Sequence, residues 1–235
     1  MQLFYNSELS QDKSQIQFSK EESKHIVRVL RKSEGDTLYI TNGKGVLFTS
    51  EIISADQKHC IAKVVTSEIK PKRNYTLHLV VAPTKMNDRY EWFLEKATEI
   101  GVDSITPIFC DNSERRVIKA ERYEKIILSA MKQSLSCYLP KLNDAINYKD
   151  FIAQKHQGTL CIAHCEDSNR TSLKQVATSN QEITILIGPE GDFSTKEIEL
   201  ALQANFTPVS LGNTRLRTET AAIVACHSVA FINES

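Results

Sequence analysis

The two stretches of this chain best equipped for chemistry both begin where an apolar run stops. The first is Ile187-Gly188-Pro189-Glu190-Gly191-Asp192-Phe193-Ser194, which follows the largely apolar Ile183-Thr184-Ile185-Leu186. Gly188 and Gly191 let the backbone turn sharply or come close to a ligand, and Glu190 sets a carboxylate between them. Ser194 with Glu197 three residues on is a capping-box pattern, so a helix should open there. The second is Leu211-Gly212-Asn213-Thr214-Arg215-Leu216-Arg217-Thr218-Glu219-Thr220-Ala221. It combines two arginines and several hydroxyls with a backbone free to hold a nucleoside. Taken singly, either segment also reads as a plain strand-to-helix turn, with the arginines solvated. Neither holds the Gly-Lys-Ser/Thr of a phosphate loop or the G-x-G-x-x-G of a dinucleotide site. Cys161, His164 and Cys165 have a zinc-like spacing, but no second ligand pair follows, so no metal is expected.

The elements that position these stretches divide into two patterns. Residues 1–70 read as short strands, at 37–41, 46–52 and 61–65, broken by turns at Glu34-Gly35-Asp36 and Asn42-Gly43-Lys44-Gly45. A small barrel or sandwich is the natural outcome. One helix precedes them, with Ser19 as N-cap and Glu22 completing a capping box. Ile26, Val29 and Leu30 form its apolar stripe, and Lys24, Arg28, Arg31 and Lys32 lie off it beside His25. A polar junction at 67–74 contains Pro71. From 73 to 235 strands alternate with longer helices: strand 77–82, helix 88–100, strand 104–109, helix 120–135, strand 158–163, a short helix from Ser172, strand 182–187, helix 195–204, strand 208–211 and helix 219–231. This alternation predicts a mostly parallel α/β sheet covered on both faces. In such sheets ligands bind beyond the carboxyl ends of strands, where both glycine-bearing segments fall.

Composition narrows the class. Lys+Arg and Asp+Glu are both 29, hydrophobic residues are 41% and charged residues 25%. That mixture excludes a disordered or low-complexity chain. No apolar run is long enough for a membrane span, and the start lacks the basic-then-apolar order of a signal peptide. A soluble, cytoplasmic protein with reduced, mostly buried thiols is expected. Zero net charge leaves nucleic acid open as a partner, because local clustering matters more than the total.

Together the two glycine-bearing segments resemble the SPOUT methyltransferase superfamily and, within it, the RsmE family, which methylates N3 of a uridine in 16S ribosomal RNA. Lys85-Met86-Asn87-Asp88-Arg89, Lys96-Ala97-Thr98-Glu99-Ile100-Gly101-Val102, Ser113-Glu114-Arg115-Arg116 and His25-Ile26-Val27-Arg28-Val29-Leu30-Arg31 are similar to further blocks of that family. One block departs: Lys132-Gln133-Ser134-Leu135-Ser136 stands where members often have Glu-Gln-Ser-x-Arg. The resemblance implies an N-terminal PUA-like β-barrel that binds RNA (1–70) and a C-terminal SPOUT α/β domain with a deep trefoil knot (73–235). It implies a homodimer acting on the small ribosomal subunit, without membrane or metal. S-adenosyl-L-methionine would be held by Ile187, Gly188, Pro189, Glu190, Gly191, Leu211, Gly212, Leu216, Arg217, Thr220 and Ala221. RNA would be met by His25, Arg28 and Arg31, and by Arg115 and Arg116 of a second cluster. For the transfer itself, Arg217 could hold a uracil carbonyl or a phosphate but stays protonated and cannot be the base. Glu190, Glu99 and Glu219 are candidate carboxylates for taking the imide proton or for positioning, each also readable as an ion-pair partner of a nearby arginine. Two rivals share the pattern: a SPOUT enzyme with another rRNA or tRNA target, and a non-catalytic RNA-binding assembly factor.

Overall fold

A computed structural model describes residues 1–166 and 170–234. The chain forms two compact units, Met1–Lys72 with Met131–Leu139, and Arg73–Ala130 with Pro140–Ser235. Residues 131–139, expected with the second part, thus count with the first.

The first unit holds β1 (Leu3–Tyr5), β2 (Gln15–Gln17), α1 (Lys20–Lys24), β3 (Thr37–Thr41), β4 (Val46–Ser54) and β5 (Ile61–Ile69). The strands pair in the order β1-β3-β4-β5-β2, antiparallel except for β1 with β3. Among the described residues this path is open, not a closed barrel. Two register shifts in the β4–β5 pairing bend it. β5 continues through the predicted junction to Ile69, because its pairing with β4 extends to Val46. Phe4, Ile16, Phe18, Ile26, Leu38, Ile40, Phe48 and Ala62 pack into its core.

The helix after β2 differs from the expected one. Ser19 caps α1 by accepting from the Glu22 amide at 3.2 Å, but His25–Val29 then form a π turn. The wider turn shifts the phase of the residues beyond it. Ile26 is fully buried and Leu30 packs on the core, while Val29, expected in the stripe, is 63% exposed. Arg31 ends the element at φ 54°, a left-handed conformation uncommon outside glycine, asparagine and aspartate.

The second unit is built on a parallel sheet. Its elements are β6 (Thr76–Val81), α2 (Asn87–Ile100), β7 (Ser104–Phe109), α3 (Ala120–Gln133), β8 (Lys141–Leu142), β9 (Ile146–Asn147), α4 (Tyr148–Ile152), β10 (Thr159–Ala163), β11 (Thr171–Ser172), α5 (Leu173–Val176), β12 (Glu182–Ile187), α6 (Thr195–Gln203), β13 (Thr207–Ser210) and α7 (Thr218–Asn233). The order is β11-β13-β10-β12-β6-β7-β8, with β9 also on β7, and every pairing is parallel. One face carries Val80, Ile108, Ile162 and Leu186 under Tyr148, Phe151, Ile198 and Phe206 of α4, α6 and the loop after α6. α2 and α7 pack on each other, with α7 against β6 and β12. α7 permits this close approach because Ala222 and Ala225 are fully buried where larger side chains would stand the helix off.

Candidate active site

Three strand ends converge. Ala163 closes β10, Ile187 closes β12, and the loop after β13 runs from Leu211 to Arg217. Because β10 pairs with both β12 and β13, these loops emerge side by side at the carboxyl edge of the sheet. A cavity of about 300 Å³ opens there, lined by Ala163, Cys165, Ile187, Gly188, Pro189, Glu190, Asp192, Arg215, Leu216, Arg217, Thr218 and Ala221. A smaller one of about 60 Å³ shares Ala163, Cys165, Leu216 and Ala221 with it and adds His164, Arg170, Val209, Leu211, Gly212 and Thr214.

The loops are tied to one another by side chains that cap backbone groups. Thr218 Oγ1 donates to the Gly188 carbonyl at 3.0 Å, joining the start of α7 to the end of β12. Glu190 Oε1 accepts from the Lys85 amide at 2.8 Å, and Arg115 donates to the Thr84 and Lys85 carbonyls at 3.1 and 2.9 Å. Asp192 sits at φ 62° and accepts from the amides of Cys165 at 2.7 Å and Phe193 at 2.8 Å. Asn112 Nδ2 donates to the Gly191 and Asp192 carbonyls, each at 3.1 Å. Below them Ser194 and Glu197 form the predicted capping box of α6. The Glu197 carboxylate, 1% exposed, also accepts from the Asp111 amide at 2.9 Å.

Two glycines are needed for different reasons. A Cβ on Gly188 would stand 3.1 Å from the Phe193 ring, so the turn admits no side chain without displacing that ring. Gly212 has φ +138°, a conformation strained for any other residue, and nothing lies within 4 Å of its Cβ position. Backbone there faces open cavity, as a loop would that receives a ligand on its main chain.

Of the residues expected to hold cofactor, Ile187, Gly188, Pro189, Glu190, Leu211, Gly212, Leu216, Arg217 and Ala221 line one or both cavities. Gly191 and Thr220 line neither; Gly191 packs against Asn112 instead. Among the residues expected to take part in the transfer, Glu190 and Arg217 are at the cavity, and Glu99 is not. Glu99 lies in the last turn of α2, a helix that starts after the carboxyl end of β6 and so runs back toward the other edge of the sheet. There Lys96 Nζ donates to Glu99 at 3.0 and 3.2 Å, the ion-pair alternative. Glu219 opens α7, 8% exposed, with Oε1 3.9 Å from Arg89 Nε and Oε2 buried with no hydrogen-bond partner among the described residues. Arg116 donates to the Cys110 and Asp111 carbonyls. Both arginines of the second cluster therefore brace the loops around the site. In the first unit Arg28 and Arg31 are exposed and His25 is partly buried. Arg28 Nε bonds Gln57 Oε1 at 2.5 Å.

Sequence reasoning missed Asp192 and Asn112 as the tethers of the loop, although an aspartate after Gly191 is where a left-handed turn residue is expected. It also missed His164, read only as a potential metal neighbour. Among the described residues no group of three His, Cys, Asp or Glu could hold a metal ion. No helix there is long and apolar enough to cross a membrane. Cys60, Cys110, Cys137, Cys161 and Cys226 are buried free thiols, and Cys165 is free and exposed.

Comparison with known proteins decides the family. An RNA methyltransferase domain matches residues 71–230, and an RNA methyltransferase PUA domain matches residues 18–65. The chain is 30% identical to ribosomal RNA small subunit methyltransferase E of Rickettsia conorii over 98% of its own length and 95% of that protein's. The chain belongs to the ribosomal RNA small subunit methyltransferase E family. Among solved structures it is similar to a probable rRNA-methyltransferase from Porphyromonas gingivalis, at 42% identity and TM-score 0.93, covering 100% of this chain and 99% of that one. A methyltransferase from Legionella pneumophila, solved with the cofactor S-adenosylmethionine (SAM) bound, is 27% identical with TM-score 0.86 over 97% and 96% of the two chains. Within this family the paired cavities suit SAM. Ala163, Ile187, Leu211, Leu216 and Ala221 supply apolar wall, the bare backbone at Gly212 supplies main-chain contacts, and Glu190 and Asp192 bring carboxylates to a cation.

Proposed function

We propose that this protein transfers the methyl group of SAM to N3 of a uridine in 16S rRNA of the small ribosomal subunit. The observation that carries the reading is the cavity at the carboxyl ends of β10, β12 and β13, walled by both glycine-bearing loops, in a chain that aligns with a methyltransferase E relative over 98% of its length. When bound, SAM supplies an electrophilic methyl on a positive sulfur. The chain's own residues do the rest by placement and exclusion of water. Arg217, exposed at the N-cap of α7 and lining the cavity, holds a uracil carbonyl where negative charge grows as N3 loses its proton. Glu190 has one oxygen committed to the Lys85 amide; its other oxygen is the acceptor for that proton. Lys85, paired with Glu114 at 2.8 Å, stays positive beside the cavity mouth. Arg28, Arg31 and His25 present the first unit to RNA phosphates. The work takes place in the cytoplasm, where the rRNA is.

The knot and the homodimer belong to this reading. Membership of the RNA methyltransferase family over residues 71–230 supports the first. Half-buried Ile223 and Val224 on α7, with Trp92 exposed on α2, support a partner over the α2–α7 face.

Mass spectrometry of nucleosides from 16S rRNA tests the proposal. Cells lacking the protein should lose one N3-methyluridine, regained with the wild-type chain but not with Gly212→Val. Unchanged N3-methyluridine, or loss of a different nucleoside, would refute the assignment.

A further inference from the structure

His164 follows the last residue of β10 and is 4% exposed, yet neither Nδ1 nor Nε2 has a hydrogen-bond partner among the described residues. Its carbonyl is satisfied, accepting from Arg170 Nη1 at 2.7 Å, so the unmet demand is the ring's alone. Burial lowers the imidazole pKa, aided by Arg170 and opposed by Asp192 and Glu166. A neutral ring has one N–H to donate and one lone pair to receive. Native proteins rarely leave such a group buried and unmatched unless a ligand or water meets it.

His164 lines the smaller cavity, whose other walls include apolar Val209, Leu211, Leu216 and Ala221 together with Arg170 and Thr214. The carboxylates of Glu190 and Asp192 line only the larger one. A ligand filling both therefore meets carboxylates in one compartment, and in the other apolar wall with the unmatched His164 ring, the Thr214 hydroxyl and Arg170, whose Nη1 is committed to the His164 carbonyl. The sulfonium and amino-acid end of SAM match the first, and a flat heteroaromatic base matches the second. We propose that His164 reads the hydrogen-bonding edge of the adenine and so makes the site selective for a 6-aminopurine. This rests on the reading of the cavities as the SAM site.

Titration calorimetry with S-adenosylhomocysteine and S-inosylhomocysteine, which exchanges the 6-amino donor for a carbonyl, tests it on wild type, His164→Leu and His164→Gln. His164→Leu should weaken binding of the adenosyl compound tenfold or more and shrink its advantage over the inosyl compound. His164→Gln, which keeps a donor and an acceptor, should recover part of both. The ligand-free Tm of His164→Leu should equal or exceed the wild-type value, because an unmatched polar ring has been replaced by apolar surface. In wild type, the imidazole ¹⁵N shifts should move when S-adenosylhomocysteine is added. An unaltered adenosyl-to-inosyl ratio in His164→Leu, or unmoved ¹⁵N shifts in a protein that binds, overturns the role of His164 while leaving the SAM site standing. A wild-type protein that binds neither compound overturns the site and this inference together.

Discussion

Gly212 and Asp192 both hold backbone with φ above zero, and they meet that requirement differently. Gly212 at φ +138° has open space where a side chain would start, so the difficulty with any other residue is backbone strain of about 1–3 kcal/mol. Gly212→Val should therefore fold and bind no measurable SAM by calorimetry; unchanged affinity would remove this loop from the site. Asp192 at φ 62° offsets its strained backbone with two amide bonds, one of them to Cys165 across the cavity. Asp192→Ala should lower SAM affinity roughly tenfold, about 1.4 kcal/mol, and Asp192→Asn should lose less because asparagine keeps an acceptor oxygen and tolerates the turn. The glycines could be read in the sequence, since only a turn or a close approach explains two of them around a proline and a glutamate. The tethers of Asp192 could not, because its partners, Cys165 and Asn112, are remote in the chain. Nor could the exclusion of Glu99, which depends on which end of α2 faces the cavity.

Elements whose periodicity is local were legible. The strands 37–41, 104–109 and 182–187 and the capping box at Ser194 stand where patterning put them, because each rests on neighbours a few residues away. The helix after Ser19 was not, since a π turn inserts a residue that 3.6-fold periodicity cannot register. Its effect is to turn Val29 outward and leave Arg28 and Arg31 exposed. Arg28→Ala and Arg31→Ala should each weaken RNA binding and lessen its dependence on salt, with SAM affinity intact. A salt slope equal to that of wild type would leave the element without a role in RNA contact. Arg31→Gly separates charge from conformation: relief of the left-handed φ should raise Tm while RNA binding falls. On β6, burial pushes the His78 pKa down from the usual 6.5 to about 4, with His156 and Lys141 adding to it. The ring is neutral in the native protein and titrates near 6.5 once unfolded. Above pH 6.5 neither state is protonated and the group adds no pH dependence. Between 6.5 and about 4 the unfolded chain gains a proton that the folded one refuses, so stability falls, by about 3 kcal/mol at most. Urea unfolding at pH 7 and pH 4.5 should show a shallower loss for His78→Gln than for wild type; equal losses would assign the acid sensitivity to other groups.

For the molecule as a whole, the proposed dimer makes activity depend on concentration. An isologous pair over the α2–α7 face buries the same patch twice, and sedimentation at submicromolar concentration should show mass and methylation falling together. A fully active monomer would end that proposal. A different dependence arises from the membership of Met131–Leu139 in the first unit. Cys137 O accepts from the Gly45 amide at 2.8 Å and from Thr41 Oγ1 at 3.2 Å; the Leu139 amide donates to Gly43 O at 2.9 Å, and Tyr138 Oη donates to Lys70 O at 2.8 Å. The turn at Gly43 and Gly45 is thus fastened by chain made long after it. During synthesis the amino-terminal sheet leaves the ribosome first but lacks these fastenings until Leu139 has followed it out. At translation rates of about 5–20 residues per second, that is an interval of several seconds in which the Gly45 amide and the Gly43 and Lys70 carbonyls lack the partners that Cys137, Leu139 and Tyr138 later supply. A nascent chain stalled before residue 131 should accordingly expose this turn to protease, and one stalled after the exit of Leu139 should protect it.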